Sequence, residues 1–512
     1  MSRPLVAVSI LVFVLAGVAP LAVMFARIEA ADLAGVLDQR TLVLLGRTLV
    51  VGTGSAAMAL LLGLPFGFLV ARTDLPFART LRHVGLVPLL VPPVILAMVL
   101  SVLWTEALGA AMVVLVLGTS TFPLVAAFCA RAFERIDAGR EQAALLAGGL
   151  PAVVRMELPL VLPAALCGAC LAFALAINDF AVPDYVASIG RKYNVYADEV
   201  FASWQNVRSP GKAVAAALPL VLLTFLALVP ALTLRRRGAL SIVDGDFQAP
   251  PRLALRGWRW PAFALCAGVV ALTALLPIGR LLWEAGGGMK GFSWEGLQAA
   301  FARGIETGRA DLQRSLLYST CAALLAVGPA LALGHALARS QRARWFELGV
   351  LLPFGVPAIL FGIGTIALWN HAATAPVYDG GLAVVLLLFG RFAPIPILAV
   401  AAATAFVDPR LEEAGRVAGA GPARRLFSIV SPSVRHALLG GAGLVFVFGM
   451  RELDAAILVP AANGTAMFRV YNAIHFGRDD FVAALALLVI FFILLPGILW
   501  SAFARERGEA AA

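Results

Sequence analysis

Charged residues are scarce in this chain of 512 amino acids. Asp, Glu, Lys and Arg make up 14% of it, whereas hydrophobic residues make up 61% and the mean hydropathy is +0.91. A soluble protein could not bury that much apolar side chain, so the composition excludes that class and indicates a polytopic membrane protein. The net charge of +10 does not indicate nucleic-acid binding, because the arginines fall mostly in short loops between apolar runs.

Residues that build redox, metal or catalytic sites are also few. The five cysteines all lie in apolar segments, and Cys167 and Cys170 have CxxC spacing without a second pair or a nearby histidine. Small residues at such positions are typical of helix contacts in membranes. The five histidines are scattered along the chain. The sequence therefore predicts neither a metal site nor catalytic residues.

A phosphate-binding loop of the form G-x-x-x-x-G-K-[ST] is missing as well. The nearest match is the Gly211-Lys212 pair, but Asn206 occupies the position of the first glycine. We therefore expect that the chain is not an enzyme, holds no cofactor and cannot hydrolyse ATP by itself.

Long apolar runs, in contrast, are abundant. A membrane-spanning helix needs about 20 mostly apolar residues, and twelve segments meet that requirement. The first is longer than the apolar core of a typical signal peptide, so we interpret it as an uncleaved span. The predicted spans are Leu5–Arg27, Leu44–Val70, Val84–Leu103, Leu108–Ala130, Pro163–Ala181, Ala213–Leu234, Trp260–Trp283, Ser315–Ala338, Leu348–Trp369, Gly380–Val407, His436–Leu458 and Phe481–Trp500.

Matching residues recur at a nearly constant spacing, which indicates a tandem repeat. Arg47-Thr48-Leu49 in the first half corresponds to Arg314-Ser315-Leu316 in the second, and Pro92 corresponds to Pro357. Six spans per copy preserve orientation, so the copies are expected to be parallel. The predicted domains are a first repeat (1–234), a cytoplasmic linker (235–259) and a second repeat (260–512). Basic residues are more frequent in the inner loops when both termini are placed in the cytoplasm.

Two polar loops occupy matching places between the fourth and fifth spans of each repeat. Each begins with a helix-forming stretch, bends at a glycine (Gly148 or Gly419), runs through a short second segment and is predicted to re-enter the membrane as a helix at a proline (Pro159 or Pro432). A rigid helix–bend–helix on the membrane surface could transmit a push, and its exposed arginines could pair with acidic groups of a partner.

The loops resemble the signature of the permease subunits of bacterial ATP-binding-cassette importers. That signature reads Glu-Ala-Ala, three residues, Gly, nine residues, Ile, one residue, Leu-Pro. The second copy departs from it at Gly415 and Ser431, and the first copy has Gln142 in place of the glutamate and a shorter spacing before Pro159. The resemblance covers nearly the full length and implies an all-α, type I importer permease fold.

The resemblance also implies partners and site residues. It implies a bacterial inner-membrane location, a cytoplasmic ATPase dimer that binds ATP and a periplasmic substrate-binding protein. In that family the segment after the glycine is a coupling helix that docks on the ATPase, here residues 149–154 and 420–427. The residues implied in coupling are Gln142, Ala143, Gly148, Glu413, Ala414, Gly419, Arg424, Arg425 and Pro432.

Charged and polar residues near the ends of the fifth and eleventh spans are candidates for the translocation path, because charges in a membrane are costly. Asn178-Asp179 and Arg451-Glu452 take matching places in the two repeats, and Asp454 follows nearby. These carboxylates could face the path of a cation. The alternative is that Arg451 pairs with one of the acids and only fixes helix packing.

Only the resemblance to known permeases narrows the range of possible substrates. A fusion of two six-span halves resembles the ferric-iron permeases, and segments 451–458 and 468–471 look most like the second half of that type. We therefore expect ferric-iron import, with thiamine, 2-aminoethylphosphonate or another small solute as alternatives. An ion-coupled secondary transporter is the rival class, but it gives no reason for two matching basic loops.

Overall fold

The structure is a computed structural model that describes residues 3–33, 36, 38–105, 109–190, 192–207, 210–240, 248, 250–340, 343–458, 460–476 and 480–509. Within these residues the chain is helical, and its only extended pairing is one bridge between Thr73 and Leu253. The predicted all-α fold is therefore confirmed. Most of the first half of the predicted linker lies outside the described residues.

The α-helices follow one another along the whole described chain. They are α1 (Arg3–Phe13), α2 (Ala19–Phe25), α3 (Gln39–Arg72), α4 (Ala78–Val84), α5 (Val87–Leu90), α6 (Pro93–Leu103), α7 (Ala110–Phe133), α8 (Ala138–Asn178), α9 (Ala181–Ile189), α10 (Tyr196–Val207), α11 (Pro210–Leu240), α12 (Arg259–Val270), α13 (Leu276–Ala285), α14 (Trp294–Ala338), α15 (Ala343–Gly355), α16 (Ala358–Trp369), α17 (Ala375–Asp379), α18 (Leu382–Phe392), α19 (Pro394–Thr404), α20 (Pro409–Val417), α21 (Pro422–Arg425), α22 (Ser431–Arg451), α23 (Ala466–Phe476) and α24 (Asp480–Glu509).

Nine helical stretches in the described part of the chain are long and apolar enough to cross a membrane. Four further helix pairs pass the same test together but are bent by more than 40°, which gives up to 13 spans. The twelve predicted spans fall within this range.

Two predicted spans are broken at matching prolines. The helices on either side of Pro92 meet at 94°, and those on either side of Pro357 meet at 91°. The residue before a proline is pushed out of the helical region, and the backbone at Val91 is accordingly extended (ψ 130°). The expectation of continuous helices at Val84–Leu103 and Leu348–Trp369 was therefore wrong.

Three π-helical segments have a common cause. Val14–Val18, Ala271–Leu275 and Leu426–Val430 each run directly into an α-helix whose second residue is proline. A proline in a helix lacks the N–H donor, and its ring clashes with the carbonyl four residues earlier. Widening the preceding turn relieves that clash and keeps the helix continuous. Two of these segments lie in the first spans of the two halves.

Contacts divide the chain into two compact units. One unit comprises Met1–Val36, Val200–Leu218 and Gln298–Ala512, and the other comprises Leu37–Glu199 and Pro219–Leu297. The first span (α1, π, α2) thus belongs to the unit built mainly from the second half. The seventh span (α12, π, α13) belongs to the unit built mainly from the first half. The spatial units and the sequence repeats therefore have different boundaries.

In the first of these units, small residues bring the first span close to its neighbours. The π segment at Val14–Val18 packs against α18, and α2 packs against α16. A Cβ on Gly364 would lie 2.6 Å from the carbonyl oxygen of Pro20, and one on Gly390 would clash with the carbonyl oxygen of Ala16. Close backbone approach of this kind is typical of helix packing in membranes.

The other unit has its core where α3, α7 and α8 pack together. Phe66 and Phe122 meet there edge to face with ring centroids 5.7 Å apart. Cys266 and Val270 of the seventh span are buried in the same cluster. Each of the five cysteines is a free thiol, and Cys266 therefore serves as a small apolar packing residue.

Candidate functional site

Each polar loop starts with a helix that an aspartate caps. Asp137 Oδ1 accepts a hydrogen bond from the Gly139 N–H at 2.9 Å, and Asp408 Oδ1 accepts one from the Arg410 N–H at 2.9 Å. The two aspartates occupy equivalent positions of the two repeats. A hydrogen bond from the backbone N–H of Gln248 to Asp137 is the main reason why the pKa of that carboxyl is lowered. Both loop helices therefore begin at a defined residue.

The second loop bends at Gly419, which has φ +79°. Its N–H donates to the Arg416 carbonyl at 3.0 Å, and the Ala420 N–H donates to the Gly415 carbonyl at 2.9 Å. This pair of hydrogen bonds is the Schellman motif, which ends a helix at a residue in the left-handed region. The bend thus requires glycine for its backbone angle, since nothing lies within 4 Å of an added Cβ.

The first loop bends over two glycines. Gly148 has φ −174° and ψ 20°, and Gly149 has φ +65°. The residue with the positive φ is therefore one position later than the predicted bend at Gly148. Counted from the capping aspartate of its loop, Gly149 also lies one position later than Gly419 does.

The short segment predicted after each bend and the helix predicted to re-enter the membrane at Pro159 or Pro432 form one helix. That helix starts at Pro151 in the first loop and at Pro422 in the second, which are equivalent positions counted from the capping aspartates. A proline in the first helical turn loses nothing, because its missing N–H would have no partner there. Pro159 lies inside a continuous helix, and Pro432 follows the π segment at Leu426–Val430. Each segment predicted to dock is thus the start of a long helix.

Most residues that the sequence implicated in coupling lie on the surface of the loops. Arg425 is half-buried and donates through Nη1 to the Glu412 carbonyl oxygen at 3.4 Å. A Cβ on Gly415, where the family pattern has alanine, would lie 2.8 Å from Ile429 Cδ1, the end of a flexible side chain that would have to shift. Exposed are Gln142, Ala143, Gly148, Glu413, Ala414, Gly419, Arg424 and Pro432.

One apolar side chain per loop stands out from the surface. Leu146 is 90% exposed and Val417 is 86% exposed, more than any other large apolar residue in the described part of the chain. They occupy equivalent positions counted from the capping aspartates, each shortly before its bend. Both copies therefore present an uncovered apolar residue at the same place.

A buried arginine joins the two arms of the first loop. Arg72, at the end of α3, is 1% exposed, and its Nη2 lies 2.6 Å from Glu141 Oε2 and 3.0 Å from Glu157 Oε1. Glu141 precedes the bend and Glu157 follows it. The Nη1 of Arg72 also donates to the carbonyl oxygen of Pro251 in the linker at 3.0 Å.

The second loop contains the corresponding ion pair. Arg339 Nη2 and Nε donate to Glu412 Oε1 at 2.9 and 3.1 Å, and Nη2 also donates to the Val407 carbonyl oxygen. His335 Nε2 lies 2.8 Å from Glu412 Oε2. The positions that can match Glu157 are 428–430, which hold Ser, Ile and Val, so the second copy has no acid at the equivalent place after its bend.

Sequence reasoning missed these ion pairs. It treated Arg72 and Arg339 as topology signals and did not consider Glu141 or Glu412. The signal was present in the repeat, because the two arginines correspond to each other in the two copies and so do the two glutamates.

The linker is attached to the first loop by backbone hydrogen bonds. The Ala138 N–H donates to the Gln248 carbonyl at 3.0 Å, and the Leu253 N–H donates to the Arg72 carbonyl at 2.7 Å. The Asp74 N–H in turn donates to the Leu253 carbonyl at 3.1 Å. Because these bonds hold both the start of the loop helix and the end of α3, Gln248 and Leu253 of the linker are part of this site.

The candidate path acids mark the ends of matching helices. Helix α8 ends at Asn178 and α22 at Arg451, so Asp179 and Glu452 both take the position after a helix end. Asp179 Oδ1 accepts from the Val182 N–H and Glu452 Oε1 accepts from the Ala455 N–H, both at 2.9 Å. The side chain of each acid thus caps the turn that starts at the acid itself, by accepting a hydrogen bond from the N–H three residues later.

Glu452 forms an ion pair with Arg391. Arg391 Nε lies 3.5 Å from Glu452 Oε2, with both side chains largely buried. The guanidinium of Arg451 lies 5.3 Å from the ring centroid of Phe448. Arg391 thus acts as a counter-ion to this acid.

The remaining candidates differ in their surroundings. Asn178 Nδ2 donates to the Ala174 carbonyl at 2.7 Å and to Thr224 Oγ1 at 2.9 Å, whereas its buried Oδ1 has no hydrogen-bond partner among the described residues. Asp454 is half-buried in the turn after Glu452.

Helix α10 carries a further acidic residue, Asp198, near Asp179 and Asp184 in the first half of the chain. Burial is the main cause that raises the pKa of Asp198 to about 8; the nearby charges of Asp184 and Asp179 contribute in the same direction, whereas the hydrogen bond from the Val195 N–H acts against it. At neutral pH this carboxyl therefore carries its proton most of the time. Among the described residues, no group of three His, Cys, Asp or Glu side chains is arranged to hold a metal ion.

Known proteins share parts of this chain. Residues 63–237 match the family described as binding-protein-dependent transport system inner membrane component. A molybdenum transport system permease protein of Mycobacterium tuberculosis is 30% identical over 190 residues, which are 34% of this chain and 71% of that protein. A putrescine transport system permease protein of Escherichia coli is 26% identical over 197 residues, which are 37% of this chain and 69% of that protein.

A putative ferric transport system permease protein of Haemophilus influenzae is 28% identical over 176 residues, which are 33% of this chain. The chain covers 27% of the length of that relative. These relatives are named for different substrates, but all are permease proteins of transport systems. The chain belongs to the family of binding-protein-dependent transport system inner membrane components.

Proposed function

We propose that this chain is the membrane-spanning permease of an ATP-driven importer, with ATP bound and hydrolysed by separate subunits that dock on its two polar loops. The observation that carries the proposal is the uncovered apolar residue beside each bend, Leu146 and Val417. One exposed apolar side chain is ordinary on a protein surface. An exposed apolar side chain at the same position of both loops, next to a glycine bend, is less ordinary. It favours a partner that binds both loops in the same way.

The other partners follow from the same proposal. The excess of basic residues in the loops on one side of the membrane supports a cytoplasmic location for both polar loops and both termini, where ATP is available. A periplasmic binding protein would then deliver the substrate to the outer loops. Membership of the family supports this class over an ion-coupled secondary transporter.

Replacing both apolar residues with aspartate (Leu146→Asp with Val417→Asp) is expected to weaken binding of the ATPase subunits by at least about tenfold. Apolar side chains that fill a partner's pocket commonly contribute roughly 2 kcal/mol or more when they are interface hot spots. The measurement is the amount of ATPase subunit that co-purifies with the tagged chain from membranes.

The matched control keeps the sites apolar, with Leu146→Met and Val417→Leu, and should bind the ATPase as the wild-type chain does. Membrane insertion of every variant is checked by its yield in the membrane fraction. Undiminished co-purification of the aspartate variant, or no ATPase recovered with the wild-type chain, would contradict the proposal.

Ferric iron is the substrate that we propose first. The support is the likeness of segments 451–458 and 468–471 to ferric-iron permeases and the ferric relative in Haemophilus influenzae. The carboxylates Asp179 and Glu452 at matching helix ends are compatible with the passage of a cation.

An oxyanion is the second candidate, because one observation favours it. Arg391 is largely buried, and its Nη1 has no hydrogen-bond partner among the described residues. A guanidinium is always charged and presents donors that suit oxyanions. Uptake of radioactive ferric iron and of radioactive molybdate by liposomes that hold the whole complex separates the two candidates. ATP-dependent accumulation of molybdate alone would overturn the assignment to iron.

A further inference from the structure

The ion pair between the end of the second span and the first arm of the loop occurs twice in this chain. Arg72 and Glu141 are 69 residues apart, whereas Arg339 and Glu412 are 73 residues apart. The segment between the partners therefore differs in length, yet each arginine contacts its glutamate. The same contact is thus present in both halves although the segments between the partners differ in length.

The first of these pairs fixes the angle of the bend. Arg72 contacts Glu141 before the bend and Glu157 after it, and the side chains of all three are at most 5% exposed. Hydrogen bonds to charged groups are stronger than those between neutral groups and hold their partners in a defined direction. A displacement of either arm therefore moves the end of α3 with it.

The second pair is more open and binds one arm. The side chains of Arg339 and Glu412 are 25% and 18% exposed, and His335 contributes the other hydrogen bond to the glutamate. After the bend, Arg425 Nη1 donates a long hydrogen bond of 3.4 Å to the Glu412 carbonyl oxygen. The second loop is therefore held through Glu412.

We propose that Arg72 and Arg339 are positioning residues for transport, which tie each loop to the second span of its half so that a push on the loop reaches the spans. The proposal rests on the proposed docking of an ATPase on these loops. It assigns a function to four residues, Arg72, Glu141, Arg339 and Glu412, that are not among the coupling residues implied by the resemblance.

The test measures coupling rather than binding. The full chain is reconstituted in liposomes with its ATPase and binding protein, and the uptake per ATP hydrolysed is measured with ferric iron or molybdate, whichever the wild-type complex accumulates. Arg339→Met and Glu412→Gln are expected to keep the ATPase bound and hydrolysing while uptake per ATP falls about tenfold or more. The matched control is Arg410→Met, which removes the same charge from the exposed start of the same loop helix.

A charge reversal distinguishes pairing from a general effect on folding. The double variant Arg339→Glu with Glu412→Arg is expected to recover uptake per ATP several-fold over either single reversal. Arg72→Lys keeps the charge in the first loop but cannot reach all three of its acceptors, so it is expected to lower uptake per ATP as well. Uptake per ATP in Arg339→Met equal to that in Arg410→Met, or no recovery in the double variant, would overturn the inference.

Failure of the proposed function gives a different result. In that case the wild-type chain itself recovers no ATPase and shows no ATP-dependent uptake. If the wild-type complex transports and the Arg339 and Glu412 variants remain fully coupled, only the positioning inference is wrong.

Discussion

Replacing Arg72 with methionine is expected to destabilise the protein by about 3–5 kcal/mol, the typical cost of removing one partner from a buried ion pair. The change leaves the carboxylates of Glu141 and Glu157 buried together without a counter-ion. It also removes the hydrogen bond to the carbonyl oxygen of Pro251, which attaches the linker. Thermal unfolding of the detergent-solubilised protein measures the loss.

The control for this prediction is Arg82→Met. Arg82 pairs with Glu134 in the same half, but both side chains are about a third exposed, so the expected cost is only about 0–1 kcal/mol. A further variant that combines Arg72→Met with Glu141→Gln and Glu157→Gln removes all three buried charges and should regain much of the stability. Equal stability of the Arg72→Met and Arg82→Met proteins would contradict the buried ion pair.

Replacing Gly390 with alanine is expected to displace the first span. The new Cβ would clash with the carbonyl oxygen of Ala16 and lie 3.0 Å from the Cα of Gly17. These are backbone atoms, which cannot rotate away as a flexible side chain can. Overpacking of this kind costs typically about 1–3 kcal/mol, and more when the obstacle is rigid. Thermal unfolding in detergent and protease sensitivity of the first span are the measurements.

The matched control is Gly328→Ala in α14. Gly328 also lies inside a helix, but nothing is within 4 Å of an added Cβ, so alanine is expected to be neutral or slightly stabilising. A Gly390→Ala protein as stable as the Gly328→Ala protein would show that the first span does not pack closely on α18.

The sequence predicted those features that depend on local chemistry. Apolar runs located the spans, because any helix that crosses a membrane must be apolar over that length. Glycine located the bend at Gly419, since this backbone angle strains other residues. The same reasoning separated a short segment after the bend from a helix that starts at Pro432, whereas one helix starts at Pro422 and runs to Arg451.

Features that depend on distant neighbours could not be predicted in this way. Glu452 pairs with Arg391, which lies in a different span, whereas the sequence offered only the pairing of Arg451 with one of the nearby acids as an alternative. Likewise, every apolar span looks similar to its neighbours in sequence. Small residues such as Gly17 and Gly390 decide which helices pack together. Their close contact cannot be predicted from the hydrophobic periodicity of the sequence.

The place of the first span has a consequence for synthesis in the cell. Gly17 is made early, but Pro353 and Gly390, which it contacts, belong to the last third of the chain. At about 5–20 residues per second, the ribosome needs roughly 20–70 seconds to make the chain between them. During this time the first span must remain in the lipid without its final neighbours. The rate of translation thus determines how long the first span is in the membrane before the helices that it packs against have been made.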